Sequence, residues 1–110
     1  MKLPGAEHAY IPPAKLENYL LSLIHPLGKS KAKLLRAAGF DSKSANVLAR
    51  HLLTIASSEE VQESVLTPYG MKYLVDGSIR TPLGKSLLLR TVWIVERGET
   101  KPRFVTAYPL

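Results

Sequence analysis

The sequence predicts an α+β domain in which N-terminal helices pack on one C-terminal antiparallel sheet of three or four strands. In the first half, apolar residues recur every three or four positions, as they do on one face of a helix. In the second half they alternate with polar residues, as on a half-buried strand. The length of 110 residues suits one hydrophobic core, so a single domain over residues 1–110 is expected.

The first half divides into an arm and a helical part. Residues 1–13 predict an extended arm, because their prolines lack the N–H donor that regular elements need. The helical half covers residues 14–56. Helices are predicted over residues 14–24 and 30–38, and from Asp41 or Ser42 to about Ala56.

The sheet half covers residues 61–110. Strands are predicted over residues 61–66, 69–77, 86–96 and 103–108. Asp76-Gly77 is a strong signal for a hairpin turn after the second strand, and Gly98 marks the turn after the third. Connections this short require antiparallel pairing, because a parallel crossover needs about a dozen residues or more. We therefore expect a meander with the helices on one face.

The composition excludes several kinds of chemistry. The chain has no cysteine, which rules out disulfides, a thiolate nucleophile and cysteine-based zinc sites. It has no glycine-rich nucleotide loop, no zinc-protease motif and no paired acidic cluster, so neither a metal nor a cofactor is expected. No signal peptide and no membrane span is recognised, which favours a cytoplasmic protein with no membrane partner.

The chain is strongly basic, with a net charge of +6 and a pI near 9.7. The positive charge concentrates in the helical half, in Lys15, Lys29, Lys31, Lys33, Arg36, Lys43 and Arg50, against Glu17 and Asp41. Such a face would attract RNA, another polyanion or an acidic protein. A solvated helix surface would have the same composition, so both interpretations stay open.

One candidate site lies in the segment from His25 to Lys33. It combines an imidazole, a hydroxyl and the ammonium groups of Lys29 and Lys31 at the predicted start of a helix, where backbone N–H groups point outward. Such a corner can bind phosphate. The same residues also fit an ordinary turn between two helices with solvated lysines and a capping serine.

A second candidate site lies on the predicted sheet, at Arg90, Arg103, Thr106 and Tyr108. Thr106 and Tyr108 share a face because they are two residues apart, whereas Arg90 and Thr91 point to opposite faces. Trp93 lies on the same side as Thr91 and is expected in the core rather than stacked on a base.

Short motifs along nearly the whole chain resemble a small uncharacterised bacterial domain family. They are Leu3-Pro4-Gly5-Ala6-Glu7, His25-Pro26-x-Gly28-x-x-Lys31-Ala32, Gly39-Phe40, Thr67-Pro68-Tyr69-Gly70-x-Lys72-Tyr73, Asp76-Gly77, Arg90-Thr91-Val92-Trp93 and Pro102-Arg103-x-Val105-Thr106-Ala107-Tyr108-Pro109. That family occurs alone and as the tail of larger polymorphic-toxin-like proteins. The resemblance therefore implies a toxin-type domain without specifying its activity.

A more distant resemblance is to the toxin ribonucleases that include barnase, EndoU, colicin D and RelE. It implies a metal-independent endoribonuclease that cleaves RNA by attack of the 2′-hydroxyl on the adjacent phosphorus. By position, His25 and Lys31 from the helical part and Thr106 and Tyr108 from the last strand would be catalytic. The substrate-binding residues would be Lys29, Arg90 and Arg103.

Other functions remain compatible with the sequence. A non-enzymatic module would use the same cations to bind RNA or an acidic partner protein. The chain could itself be a neutralising partner, although its basic charge argues against this if the toxin is also basic. For a toxin, the expected partner is an acidic antitoxin or immunity protein, and the edges of the predicted sheet would also allow a homodimer.

Overall fold

Four strands form one antiparallel meander in the order β1-β2-β3-β4, with a helix on one face. The structure is a computed structural model that describes residues 1–15 and 45–110. Its elements are a 3-10 turn at Ala6–His8, helix α1 at Ala45–Ser58, and strands β1 (Val61–Thr67), β2 (Gly70–Arg80), β3 (Ser86–Glu96) and β4 (Arg103–Pro109). The α+β class and the four-stranded antiparallel sheet are confirmed.

The position of the helix differs from the prediction of N-terminal helices. Helix α1 lies in the middle of the chain, and the element that precedes it within residues 1–15 is the short 3-10 turn. The third predicted helix corresponds to α1, whereas the helices predicted over residues 14–24 and 30–38 fall almost wholly outside the described residues. The 3-10 turn also interrupts the arm that was predicted to be extended.

Helix α1 packs on β2 and β3 through one apolar stripe. Its buried residues are Ala45, Leu48, Leu52, Ile55 and Ala56, which recur at the spacing of one helical face. In the last turn of the helix, side-chain hydroxyls bond to a backbone carbonyl. The hydroxyls of Ser57 and Ser58 both donate to the Thr54 carbonyl, at 3.2 and 2.7 Å. The stripe therefore fixes which face of the sheet becomes the core.

The centre of the core is an aromatic pair with a buried hydrogen-bond chain. The rings of Trp93 and Phe104 meet edge to face with centroids 5.3 Å apart, and both side chains are fully buried. The Trp93 indole N–H donates to Thr91 Oγ1 at 2.8 Å, and that hydroxyl donates to the Val75 carbonyl at 2.6 Å. Each polar atom thus has a partner, and the prediction that Trp93 belongs to the core is confirmed.

The hairpin turn predicted at Asp76-Gly77 is wrong. Strand β2 runs through both residues to Arg80, and the chain turns at residues 81–85. There the Thr81 N–H donates to the Lys85 carbonyl at 2.7 Å, and Gly84 has a φ of +83° that L side chains rarely adopt. Asp76-Gly77 has the composition of a turn, but within β2 Gly77 packs against α1 and Asp76 forms an ion pair with Arg90.

Gly77 is required by the close approach of α1. A Cβ built at this position would lie 2.7 Å from Ile55 Cγ1 and 3.1 Å from Ile55 Cγ2. Those contacts are shorter than van der Waals distance, and Ile55 is buried and β-branched, so it has little room to rotate away. Glycine at this point therefore sets how closely the helix can lie on the sheet.

The N-terminal arm is tied to both the sheet and the core. Leu3 is buried in the core, and the Val61 N–H donates to the Met1 carbonyl at 2.7 Å. Further along, the Tyr10 N–H donates to the Pro102 carbonyl and the Phe104 N–H donates to the Tyr10 carbonyl, both at 3.0 Å. Tyr10 thereby adds a short parallel bridge to the outer edge of β4.

We expect Gly77→Ala to lower the free energy of unfolding by about 1–3 kcal/mol, because the new methyl group overpacks the contact with Ile55. Urea denaturation would measure this change. In an Ile55→Ala background the same substitution should cost clearly less, since the clashing atoms are gone. The exposed neighbouring change Ser78→Ala should stay within about 0.5 kcal/mol of the parent. Equal costs in both backgrounds would show that the contact does not explain Gly77.

Candidate functional site

The face of the sheet opposite α1 collects the polar residues predicted to act on substrate. Arg90 is paired with Asp76 on β2 and with Tyr108 on β4, so these three form one cross-strand row. Thr106 is opposite Val92 in the next row. Residues directly opposite each other in an antiparallel pair point to the same face. The structure therefore brings Arg90, Thr106 and Tyr108 together, as the sequence suggested.

The strongest contact in this row is a bidentate ion pair. Arg90 Nε donates to Asp76 Oδ1 at 2.8 Å, and Arg90 Nη2 donates to Asp76 Oδ2 at 2.9 Å. The Arg90 side chain is 30% exposed and that of Asp76 is 18% exposed, so water reaches the pair without separating it. Two parallel charge-assisted bonds fix the plane of the guanidinium as well as its position.

The same contacts act on the charge of Arg90. The hydrogen bonds that Arg90 donates to Asp76 raise the pKa of the Arg90 guanidinium above its ordinary value, against a smaller opposing effect of burial, and Tyr108 adds to the rise. Arginine is protonated at any pH at which proteins fold, so the row provides a fixed positive charge rather than a proton donor. Arg90 can thus orient or stabilise an anion.

A β-bulge brings Arg103 to the same face. The pairing of β3 with β4 shifts between Val92 and Trp93, so Phe104 is opposite Trp93 while Thr106 is opposite Val92. In a regular strand Arg103 and Thr106, three residues apart, would point to opposite faces. The extra residue in β4 reverses the alternation and places both on one face. There Arg103 Nε donates to Glu96 Oε1 at 2.8 Å.

Two residues of this face were not predicted as site residues. Asp76 was interpreted as part of a turn, yet it orients Arg90. Lys72 pairs with Ile94 in the same row as Arg103 and adds a cation. The sequence contained a signal for Asp76 in the turn sequence Pro82-Leu83-Gly84. If the hairpin turns at that point, Asp76 and Arg90 lie opposite each other, because both are equally far along the chain from the middle of the turn.

Three of the predicted site residues lie outside the described residues: His25, Lys29 and Lys31. Their position relative to Arg90 is therefore not described. Within residues 1–15 and 45–110, no three His, Asp or Glu side chains form a group that could hold a metal ion. In the same part of the chain, no helix is both long and apolar enough to cross a membrane.

A groove elsewhere on the molecule contains none of the predicted site residues. It lies between the 3-10 turn and α1, with a volume of about 370 Å³, and opens widely to solvent. Its lining residues are Ala6, Glu7, Ala9, Arg50, Leu53, Thr54 and Ser57. The Thr54 hydroxyl already donates to the Arg50 carbonyl at 2.9 Å. We place the candidate site on the sheet face, because charged groups are held there in fixed geometry.

Replacing Asp76 with asparagine should loosen Arg90 while leaving the fold intact, since a charge-assisted bond is roughly twice as strong as a neutral one. The measurement is the rate at which the Arg90 Nε–H exchanges with water, followed by NMR. We expect exchange to be several-fold faster in Asp76→Asn and unchanged in Glu63→Gln, which removes an exposed carboxylate from β1. Unchanged exchange in Asp76→Asn would refute the orienting role.

Comparison with known proteins adds a family and a fold relative. No curated protein matches the chain. A solved structure, described as a contact-dependent growth inhibition toxin–immunity protein complex from Klebsiella pneumoniae 342, contains a chain similar to this one, with a TM-score of 0.72 and 18% identity over 96% of each chain. This likeness establishes a shared fold. The model for a domain of unknown function, DUF6883, matches residues 2–110, and the chain therefore belongs to the DUF6883 family.

Proposed function

We propose that this chain is a toxin-type endoribonuclease that cleaves RNA without a metal, with the RNA phosphate bound on the sheet face around Arg90. The observation that carries the proposal is the cross-strand row Asp76–Arg90–Tyr108, extended by Thr106 and by Arg103 through the bulge in β4. A guanidinium held in place beside two hydroxyl side chains is suited to a phosphate whose negative charge increases during the reaction.

Arg90 retains donors for an anion after its contact with Asp76. A guanidinium carries five N–H groups in a fixed plane, and Asp76 occupies one on Nε and one on Nη2. The remaining donors lie in that same plane, which Asp76 fixes. Such preorganised donors stabilise developing charge without first having to reorient. Arg90 would therefore stabilise the phosphorane, and Thr106 and Tyr108 would position the phosphate.

The proton transfers are assigned to the helical part. In the proposed reaction a base takes the proton of the RNA 2′-hydroxyl, the oxygen attacks the adjacent phosphorus, and an acid protonates the leaving 5′-oxygen. His25 fits either role, because an unperturbed imidazole titrates near pH ~6.5. Lys31 would be the second catalytic group of that part, and Lys29 and Arg103 would bind substrate. A metal has no role in this scheme.

The similar fold found in a contact-dependent growth inhibition toxin–immunity complex supports a toxin or immunity role. For a toxin with a net charge of +6, we propose an acidic immunity protein or antitoxin as the neutralising partner. The proposed site of action is the cytoplasm, where the RNA substrate is found.

A non-enzymatic binding module is the second candidate, and one observation favours it. Asp76 and Glu96 pair with Arg90 and Arg103, so part of the positive charge on the sheet face is neutralised within the protein. Such a face has less charge left to stabilise a transition state than a ribonuclease needs, while the net charge of +6 would still attract RNA. Binding that leaves RNA intact and weakens with salt would identify this function.

We expect the purified chain to cleave total RNA or tRNA in EDTA. His25→Ala should reduce the rate by about 10²–10⁴-fold, as expected for loss of an acid–base group, and Arg90→Ala by about 10²–10³-fold, as expected for loss of charge stabilisation. Lys31→Ala and Tyr108→Phe should also be slower. The measurement is the appearance of fragments with 2′,3′-cyclic phosphate ends, which this reaction leaves.

The matched control is Arg97→Ala, which removes one positive charge from an exposed turn residue outside the proposed site. Cleavage by this variant should be close to that of the parent. RNA that stays intact at high protein concentration, together with salt-sensitive binding, would contradict the ribonuclease and favour the binding module. Equal losses in Arg90→Ala and Arg97→Ala would mean that net charge, rather than the Asp76–Arg90 row, is what matters.

A further inference from the structure

Strand β1 presents one side without a partner strand among the described residues. The sheet order is β1-β2-β3-β4, and β1 pairs with β2 alone. Residues 62–66 are all exposed, including Leu66 at 77% and Val65 at 40%. Apart from the Val61 N–H, which donates to the Met1 carbonyl, the outer backbone N–H and C=O groups of β1 therefore face solvent and form a template for another strand.

Strand β1 has few of the usual protections of an edge strand beyond the charge of Glu63. The strand has no proline and no lysine or arginine, and its one irregularity lies at the start, between Val61 and Glu63. The N-terminal arm covers the start of both edges: Lys2 bridges Glu60 just before β1, and Tyr10 bridges the start of β4. Pro109 also removes a donor at the end of β4, whereas residues 62–66 of β1 have no such cover in the described structure.

The charge of the chain segment that contains β1 is opposite to that of the whole protein, although Lys72 of β2 lies opposite Val65. Residues 51–71 contain Glu59, Glu60 and Glu63 and no lysine or arginine, although the chain has a net charge of +6. The Met1 amino group lies 2.7 Å from Glu60 Oε2, so that carboxylate is already paired. In the described chain Glu59 and Glu63 have no ion-pair partner, which leaves an acidic edge beside exposed apolar side chains.

A second copy of the chain fits this edge poorly. Symmetric antiparallel pairing of all seven β1 residues would be centred on Ser64. Glu63 would then lie opposite Val65 of the other copy and diagonally across from its Glu63, about 7–8 Å away on the same face. Two carboxylates at that spacing repel each other. A strand that brings a cation to this position avoids the repulsion and gains an attraction instead.

We propose that β1 binds an extended, basic and apolar segment of a partner protein by strand addition. Main-chain hydrogen bonds to the outer edge would provide the affinity, and alternate side chains the specificity. In antiparallel pairing, the partner segment would place apolar residues opposite Leu66 and Val65. It would place a polar residue opposite Ser64 and a lysine or arginine opposite Glu63. This surface is independent of the Arg90 site and of its ribonuclease activity.

Selection from a phage-displayed library of random twelve-residue peptides against the full chain tests this proposal. The expected result is enrichment of peptides that contain the apolar-apolar-polar-cation motif. A synthetic copy of an enriched peptide should shift the backbone amide NMR signals of residues 62–66 most strongly. Its affinity should fall about threefold to tenfold in Glu63→Lys, as a cross-strand charge pair becomes a repulsion.

Glu99→Lys is the matched control, because it makes the same change of charge at an exposed residue near the β3–β4 turn and should leave peptide affinity unchanged. Leu66→Thr introduces a β-branched residue that suits a strand, and it should weaken peptide binding while RNA cleavage stays as in the parent. Three results would overturn the proposal: no enrichment of the motif, equal binding by Glu63→Lys and the parent, or a dimer of the chain held together through residues 62–66.

Discussion

The register of β2 against β3 is the constraint on which the rest of the described structure depends. The two strands pair without interruption from Gly70–Glu96 to Arg80–Ser86. That single register places Asp76 opposite Arg90 on one face, and Val75 opposite Thr91 on the other. A slip of one strand by one residue would turn its side chains to the opposite face, which would separate Asp76 from Arg90 and expose core residues. The core and the candidate site are therefore two results of the same pairing.

The two faces of the sheet perform separate tasks. On the helix side, Gly77 allows α1 to approach closely, and the Trp93–Thr91–Val75 hydrogen bonds satisfy the polar atoms of the core. On the other side, Asp76 holds Arg90 in one orientation. A proposed phosphate site on that second face would be supported by a rigid, fully paired central strand. Such support is what precise positioning of a charged group requires.

The two edges of the sheet are also treated differently. The N-terminal arm bridges the start of each edge, through Lys2 at Glu60 and through Tyr10 at Arg103, but residues 62–66 of β1 stay exposed and carry Glu63 beside apolar side chains. The two proposals assign different kinds of recognition to different places: anions at the row around Arg90, and a cationic strand at β1. A toxin-type domain that binds both RNA and a protein would need two such surfaces.

Local pattern determined much of this protein. Alternation of apolar and polar residues predicted the class, a sheet of three or four strands and the limits of β3, and helical spacing predicted the helix that corresponds to α1, because each depends only on neighbouring residues. The same alternation placed Thr106 and Tyr108 on one face, and the register decided that Arg90 rather than Thr91 joins them. The predicted helices over residues 14–24 and 30–38 lie almost wholly outside the described residues, as do His25, Lys29 and Lys31, and they stay predictions.

What only the tertiary structure decided involves residues far apart in the chain. Asp76-Gly77 has the composition of a turn, but Ile55 and Arg90 decide its role from 22 and 14 positions away in the sequence numbering. The bulge that moves Arg103 to the face of Thr106 has no proline or glycine to mark it within β4 before Pro109. A local pattern records which conformations a segment tolerates, and contacts between distant segments select one of them.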